Sequence, residues 1–412
     1  MIDFTTFLTE MKSGKELISE LTMLPEYDPN ICQKTQNERL VALSDLFQIY
    51  IPSSMSIEIY SKLYLALLRS MQKKSQQIAI KQRNENHKAI LQKSYSGVLG
   101  GADSFTIIGA SGIGKSSAIS RAISLITKDQ VIEVSYPFTK IIPCLVVQCP
   151  FDSSVKGLLL EILRQVDDKL GTNYYRDAIK SRNTTTDVLI GSVSNIALNH
   201  IGMLIVDEIQ NVVNSKNGKN LIGSLTQLIN NSGISICMVG TPECTKFFEQ
   251  AMQLARRSVG LCYTTIPYDE YFQTFCKILF QYQYVHQRTE INDALIYWLF
   301  EHSSGILSVV ISLIHDAQEI AILDGRETLD IHTLNEAFRQ RLSMLRNYIS
   351  PSKNASLSKK KKTQQYIRKN DSLSIQKDDQ WSIAMIVEKA KSQNVNPVSL
   401  LRNVCPILEV RI

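Results

Sequence analysis

The sequence predicts an α/β protein built on a doubly wound parallel sheet of five strands, with a helical lead-in before it and a helical lid after it. Three observations carry that prediction. Residues 101–268 alternate short apolar runs with helical stretches. Within them, Gly109, Ala110, Ser111, Gly112, Ile113, Gly114, Lys115 and Ser116 give the full G-x-x-x-x-G-K-[ST] spacing directly after the apolar run 105–108. A second apolar run, 201–206, ends in Asp207 and Glu208. Both motifs fall at carboxyl ends of candidate strands, where sheets of this kind bind their ligands.

Residues 1–100 read as the helical lead-in. Segments 37–47 and 56–71 carry apolar residues three and four apart, with Pro25, Pro29 and Pro52 as breakers. Arg69, Lys73, Lys74, Lys81 and Arg83 make its end basic, which predicts a solvated helix face, with a phosphate contact as the alternative. In the sheet region the candidate strands are 105–108, 145–148, 203–206, 234–239 and 261–266, and helical stretches include 154–170 and 221–230. Residues 269–349 turn helical again, through 271–284, 294–301, 306–323 and 331–345, and form the lid. The composition then shifts: 350–378, with Lys359 to Lys362 in a row, has almost nothing to bury and reads as a disordered basic linker. The tail 379–412 is amphipathic but short, and either docks on a partner or packs back on its own chain.

The first motif is a P-loop. A strand running into glycines lets the backbone wrap a polyphosphate, with successive N–H groups and the start of the next helix, 114–126, facing the anion. Lys115 would reach the β- and γ-phosphates as a point charge, Ser116 would ligate Mg²⁺ through its hydroxyl, and Ser117 completes the cradle. Beside a P-loop, an acidic residue at the end of a buried strand holds the metal and a second carboxylate polarises the attacking water. Asp207 is therefore assigned to Mg²⁺ and Glu208 to the water, and the chain is expected to bind ATP and Mg²⁺ and to hydrolyse ATP.

Composition adds limits. With 44% hydrophobic and 20% charged residues the chain has the ordinary balance of a globular protein, so a sizeable core is available. The N-terminus lacks a basic stretch followed by an apolar one, and no run approaches the roughly 18 apolar residues of a membrane span, so a cytoplasmic protein without a membrane partner is expected. The eight cysteines include no C-x-x-C pair and read as buried, reduced thiols. A net charge of +6 does not by itself require nucleic acid.

Strand, P-loop, helix, an Asp-Glu pair and a following helical lid together resemble the AAA+ ATPases. The resemblance implies that Thr241, in Gly240-Thr241-Pro242 after the fourth strand, senses the γ-phosphate. It also implies that Arg256 or Arg257, before the fifth strand, is an arginine finger that completes a neighbouring subunit's site, so that hydrolysis is slow and depends on assembly. Within that class the chain is similar to the TnsC and TniB family, the ATP-dependent target-selection regulators of DNA transposons, CRISPR-associated ones included. Its carriers are Leu24-Pro-Glu-Tyr-Asp-Pro-Asn30, Tyr50-Ile-Pro52, the P-loop, Asp207-Glu208-Ile-Gln-Asn211 and Val239-Gly-Thr-Pro242.

This resemblance implies a head-to-tail ring or helical filament on double-stranded DNA in a prokaryotic cytoplasm, bridging a target selector of the TnsD or TniQ type to transposase subunits. It places DNA backbone contacts at Lys156, Lys180, Arg182 and Thr184, for each of which a solvated surface position is the competing reading. One departure stands out: the lid turn reads Ser303-Ser-Gly-Ile-Leu-Ser-Val-Val310, without the arginine that many AAA+ lids carry there. A helicase loader or protein-remodelling ATPase, and a signalling NTPase without DNA, are the alternatives.

Overall fold

The computed structural model describes residues 3–75, 104–127, 131–135, 138–180, 185–213, 218–245, 248 and 260–342. Residues Met1–Ile349 gather into one compact unit and Ser350–Ile412 into a second. The linker and tail expectations, Lys81 and Arg83 lie outside the described residues.

Among the described residues six strands form one sheet: β1 (Phe105–Gly109), β2 (Ile132–Ser135), β3 (Phe138–Gln148), β4 (Ile201–Asp207), β5 (Ser235–Gly240) and β6 (Leu261–Tyr263), in the order β2-β3-β4-β5-β1-β6. The five strands β3, β4, β5, β1 and β6 are parallel, in registers such as Gln148 with Asp207, Met203 with Ser235, Phe105 with Cys237 and Ile107 with Leu261. The expected parallel sheet is therefore present, and β2 adds an antiparallel strand beside β3. The unbroken apolar run of β4 has a direct cause, since both faces of the strand are covered. Met203 and Ile205 join one core with Phe105 and Ile107, while Leu204 and Val206 join the opposite core.

β4 extends the expected 203–206 to Ile201–Asp207, and two other strands differ from expectation for identifiable reasons. β3 begins seven residues before the predicted 145, because Pro143 and Lys140 conceal its first half in the sequence although Ile142 pairs with Ile201. β6 stops at Tyr263 rather than 266 because the chain leaves the sheet there. The Ile266 N–H is taken by the Gly305 carbonyl of the lid at 3.1 Å.

The lead-in holds α1 (Gly14–Leu21), α2 (Gln36–Ala42) and α3 (Ser54–Ser75). α4 (Lys115–Ile126) follows the P-loop, and α5 (Val155–Leu170), α6 (Tyr174–Lys180) and α7 (Thr186–His200) lie between β3 and β4. α8 (Gly218–Ser232) precedes β5, and the lid comprises α9 (Glu270–Leu279), α10 (Asp293–Ser303), α11 (Leu307–Leu323) and α12 (Ile331–Arg341). α6 was not foreseen. Its start is held by Asp167 at the end of α5, whose carboxylate accepts the N–H groups of Tyr174 and Tyr175 at 2.9 and 2.8 Å.

The lead-in divides between two cores. Leu17, Leu21, Ile59, Leu63 and Leu67 pack with Ile107 and Met203 of the sheet and Ile119 of the helix after the P-loop, whereas Leu43, Leu46 and Ile49 pack with Phe272, Leu313 and Ala317 of the lid. Arg39 fixes the second attachment: it is 2% exposed and its guanidinium donates to both Glu327 carboxylate oxygens at 2.6 and 2.7 Å and to the Tyr284 carbonyl at 2.9 Å.

One sequence expectation is corrected here. Lys74 is not part of a solvated face but buried, and its ammonium donates to the last carbonyls of α7, those of Ala197 and Leu198 at 3.2 and 2.6 Å, where a helix C-terminus favours a cation. Six of the described cysteines are buried free thiols, and only Cys262 is exposed. Burial pushes the Cys144, Cys149 and Cys276 thiols up to about 12, which keeps them protonated. Among the described residues no single helix is long and apolar enough to cross a membrane. α10 and α11 meet the length and composition required only together, bent by 117°, and their apolar residues fill the lid core.

Candidate nucleotide site

β1 ends in Gly109 and α4 begins at Lys115, so the intervening residues form the P-loop. Gly112 holds φ at 79°, a region that costs a residue with a Cβ about 1–2 kcal/mol, and a Cβ there would also run into the lid residues Ser308 and Ile306. Lys115 is buried, and its ammonium folds back onto the loop, donating to the carbonyls of Gly109 at 2.8 Å and Ala110 at 2.9 Å. Burial depresses its pKa, and the nearby Asp207 and Glu208 carboxylates oppose that shift.

The two strand ends meet. Ser116 Oγ donates to Asp207 Oδ2 at 2.9 Å across 91 residues of sequence, and Asp207 Oδ1 accepts the Glu208 N–H at 2.8 Å. A hydroxyl beside a carboxylate is the hard-oxygen donor pair that Mg²⁺ takes, with phosphate and water oxygens completing its shell. Glu208 is exposed and sits at φ 57°, at the head of the 3-10 turn Ile209–Val212, and its side chain is held by the Gln210 amide. Thr241 follows β5. Its hydroxyl oxygen and the Gln210 side-chain oxygen are buried without a hydrogen-bond partner among the described residues. An unmade bond of this kind costs about 1–3 kcal/mol, so Thr241 suits a position where a phosphate oxygen or bound water would satisfy it.

The structure thus brings Lys115, Ser116, Asp207 and Glu208 to one place. Ser111, Ser116 and Ser117 face solvent there. Lys156, in the first turn of α5, and Lys180, the last residue of α6, are both exposed. Arg256, Arg257, Arg182 and Thr184 lie outside the described residues.

A cavity of about 120 Å³ opens beside the P-loop, and sequence reasoning assigned only its P-loop wall to the site, not the walls from the lead-in and the lid. Tyr50, Ile51 and Ser53 of the lead-in line one side, Gly114 the second, and Leu307 and Ser308 of the lid the third. The only local signal was the break Tyr50-Ile-Pro52. A separate groove of about 520 Å³ runs from Ser116 and Asp207 along Ser120 and Ser124 of α4 to Val146 of β3.

The lid reaches the P-loop without an arginine: the Ser308 N–H donates to the Gly112 carbonyl at 3.1 Å. Gly305 sets the approach, at φ 75° and where a Cβ would collide with the Ile266 carbonyl. We expect Gly112→Ala to push the lid off the loop. It should lower stability by about 1–2 kcal/mol and weaken binding of a non-hydrolysable ATP analogue, measured by chemical denaturation and calorimetry. Unchanged binding would show that the Ser308 contact does not serve the nucleotide.

Residues 100–261 match the family model described as bacterial TniB protein. No curated protein matches the chain. Among solved structures, the Drosophila ORC bound to DNA is similar at 12% identity and a TM-score of 0.44, covering 97% of this chain and 84% of that one. The Aeropyrum pernix ORC1 protein in complex with DNA is similar at 14% identity and a TM-score of 0.40, and the chain spans 65% of its length with 65% of its own. Domain III of the Thermotoga maritima replication initiation protein DnaA has 18% identity and a TM-score of 0.33, covering 65% of this chain and 92% of that one.

Proposed function

We propose that this chain, whose residues 100–261 match the family model described as bacterial TniB protein, is an AAA+ ATPase of that type and an ATP-dependent regulator of DNA transposition that assembles on duplex DNA and bridges a target selector to the transposase. The observation that carries the reading is that one TniB-matching segment holds both the P-loop and the Asp207 that its Ser116 touches.

In this reading the P-loop amides cradle the β- and γ-phosphates of ATP, and Lys115 turns its ammonium from the Gly109 and Ala110 carbonyls toward them. Ser116 and Asp207 would hold Mg²⁺, which when bound draws charge from the phosphate oxygens. Glu208, released from Gln210, orients the attacking water and takes its proton, while Thr241 donates to the γ-phosphate. Tyr50 and Ser53 of the lead-in and Leu307 of the lid would hold the base in the cavity they line beside the P-loop. Arg257 or Arg256 of a neighbouring subunit completes the site, which makes hydrolysis slow and assembly-dependent. Lys156, Lys180, Arg182 and Thr184 grip phosphates without reading bases.

The test is negative-stain microscopy of the full chain with random duplex DNA and either a non-hydrolysable ATP analogue or ADP, at two salt concentrations. Rings or filaments are expected with the analogue and DNA together, and they should thin out as salt rises. Assemblies that form equally without DNA would favour a remodelling or signalling ATPase.

A further inference from the structure

The cavity beside the P-loop has polar groups in its wall whose protons are already engaged. Tyr271, which lines it from the lid, stands in the first turn of α9, where the Asp269 carboxylate fixes the helix start by accepting the Phe272 N–H at 3.0 Å. The Tyr271 hydroxyl donates to the carbonyl of Ile51, a second lining residue, at 2.9 Å. The Tyr50 hydroxyl donates to Ser56 Oγ at 2.8 Å, and the Ser53 N–H donates to the same oxygen at 3.1 Å. At the lid edge the Ser308 N–H is taken by the Gly112 carbonyl. The wall is also stiff, because the Tyr50 N–H and carbonyl both pair with Met23 at 2.8 Å. None of these four donors can turn its proton into the cavity without breaking a bond inside the protein.

Tyr271 is the group whose oxygen a ligand would meet between lead-in and lid. Burial raises its pKa, with Tyr50 and Asp269 acting the same way and Ser53 opposing them, so the hydroxyl stays protonated and its one proton stays on Ile51. A phenol oxygen in that state still carries lone pairs, and it offers a ligand acceptance only. A purine with an amino group at position 6 brings the N–H that such an oxygen takes. A purine with a 6-oxo group sets a second acceptor against it, and a buried polar group left unpaired is what lets a site reject the wrong analogue. We propose that Tyr271 selects adenine, its hydroxyl oxygen accepting the exocyclic amino group of ATP while its proton remains on the Ile51 carbonyl. This rests on the reading that the base occupies this cavity, and adds the atom that tells one base from another.

The experiment displaces a ribose-labelled fluorescent ATP from the full chain with three unlabelled triphosphates. They are ATP, the 6-oxo analogue ITP, and purine riboside triphosphate, which carries nothing at position 6. Wild-type protein should bind ATP about fivefold more tightly than the unsubstituted purine, and ITP more weakly still. Tyr271→Phe should weaken ATP about fivefold and leave the unsubstituted purine where it was, so that the two converge. The unsubstituted purine separates recognition from packing, because a variant that merely loosened the contact with Ile51 would weaken all three ligands alike. That equal weakening overturns the proposal, and so does an ATP affinity unchanged in Tyr271→Phe. A wild-type protein that binds the three triphosphates equally overturns the selection while the nucleotide reading stands. One that binds neither these nor the labelled ATP removes both.

Discussion

Glu208→Gln is expected to lower ATP turnover by about 10²–10⁴-fold while ATP still binds. Gln keeps the size of Glu208 and its place at the head of the turn after β4, but it cannot take a proton from water. The groups that hold the phosphates and metal, Lys115, Ser116 and Asp207, stay as they are, so affinity for ATP should change little. Steady-state phosphate release and equilibrium binding of labelled ATP separate the two effects. Assemblies on DNA should outlast those of the wild type, since the nucleotide is no longer consumed. Turnover at the wild-type rate would remove Glu208 from its role as base.

Arg39→Met should cost about 3–5 kcal/mol, the loss expected when one member of a buried, doubly hydrogen-bonded ion pair is removed and the other is left without its partner. Glu327, 16% exposed on its side chain, would keep the His286 N–H at 3.1 Å and the His286 imidazole at 3.8 Å but lose its guanidinium. In the wild type, burial pushes the Glu327 carboxyl up, but the Arg39 and His286 hydrogen bonds and charges outweigh it and leave it below its ordinary value. The sign of the pH dependence follows. A carboxyl depressed on folding adds stability above its unfolded pKa of about 4.3 and loses it as pH falls through the lower folded value. Chemical denaturation from pH 7 down to pH 3 should therefore show the wild type losing this increment in acid, and Glu327→Gln lacking it throughout. Arg39→Met paired with Glu327→Met should recover much of the loss. An Arg39→Met protein as stable as the wild type would show that the lead-in is not anchored to the lid by this pair.

The parallel sheet, the P-loop and the acidic pair were legible because each is local. A P-loop is one uninterrupted octet, and β4 declares its double burial in six consecutive residues. What escaped depends on residues far apart in the chain. The cavity beside Gly114 is assembled from Tyr50 and Leu307, which no spacing rule connects. Lys74 looks like any surface lysine until α7 is seen to end against it. Arg39 reads as an ordinary helix residue until Glu327 closes on it. α6 hides because its start depends on Asp167 in the preceding helix. Pro143 interrupts β3 in the sequence but not in the sheet.

The division of the lead-in between two cores also bears on how the chain is made. Arg39 must wait for Glu327, 288 residues later, and the Tyr27 hydroxyl for the Gln283 carbonyl, 256 residues later. At synthesis rates of about 5–20 residues per second, that is roughly 15–60 s on the ribosome. During that interval Leu43, Leu46 and Ile49 have no lid to cover them. The nascent protein therefore passes through a long stage with uncovered apolar surface, and its yield in the cell should depend on chaperones that shield the first fifty residues until the last lid helix emerges.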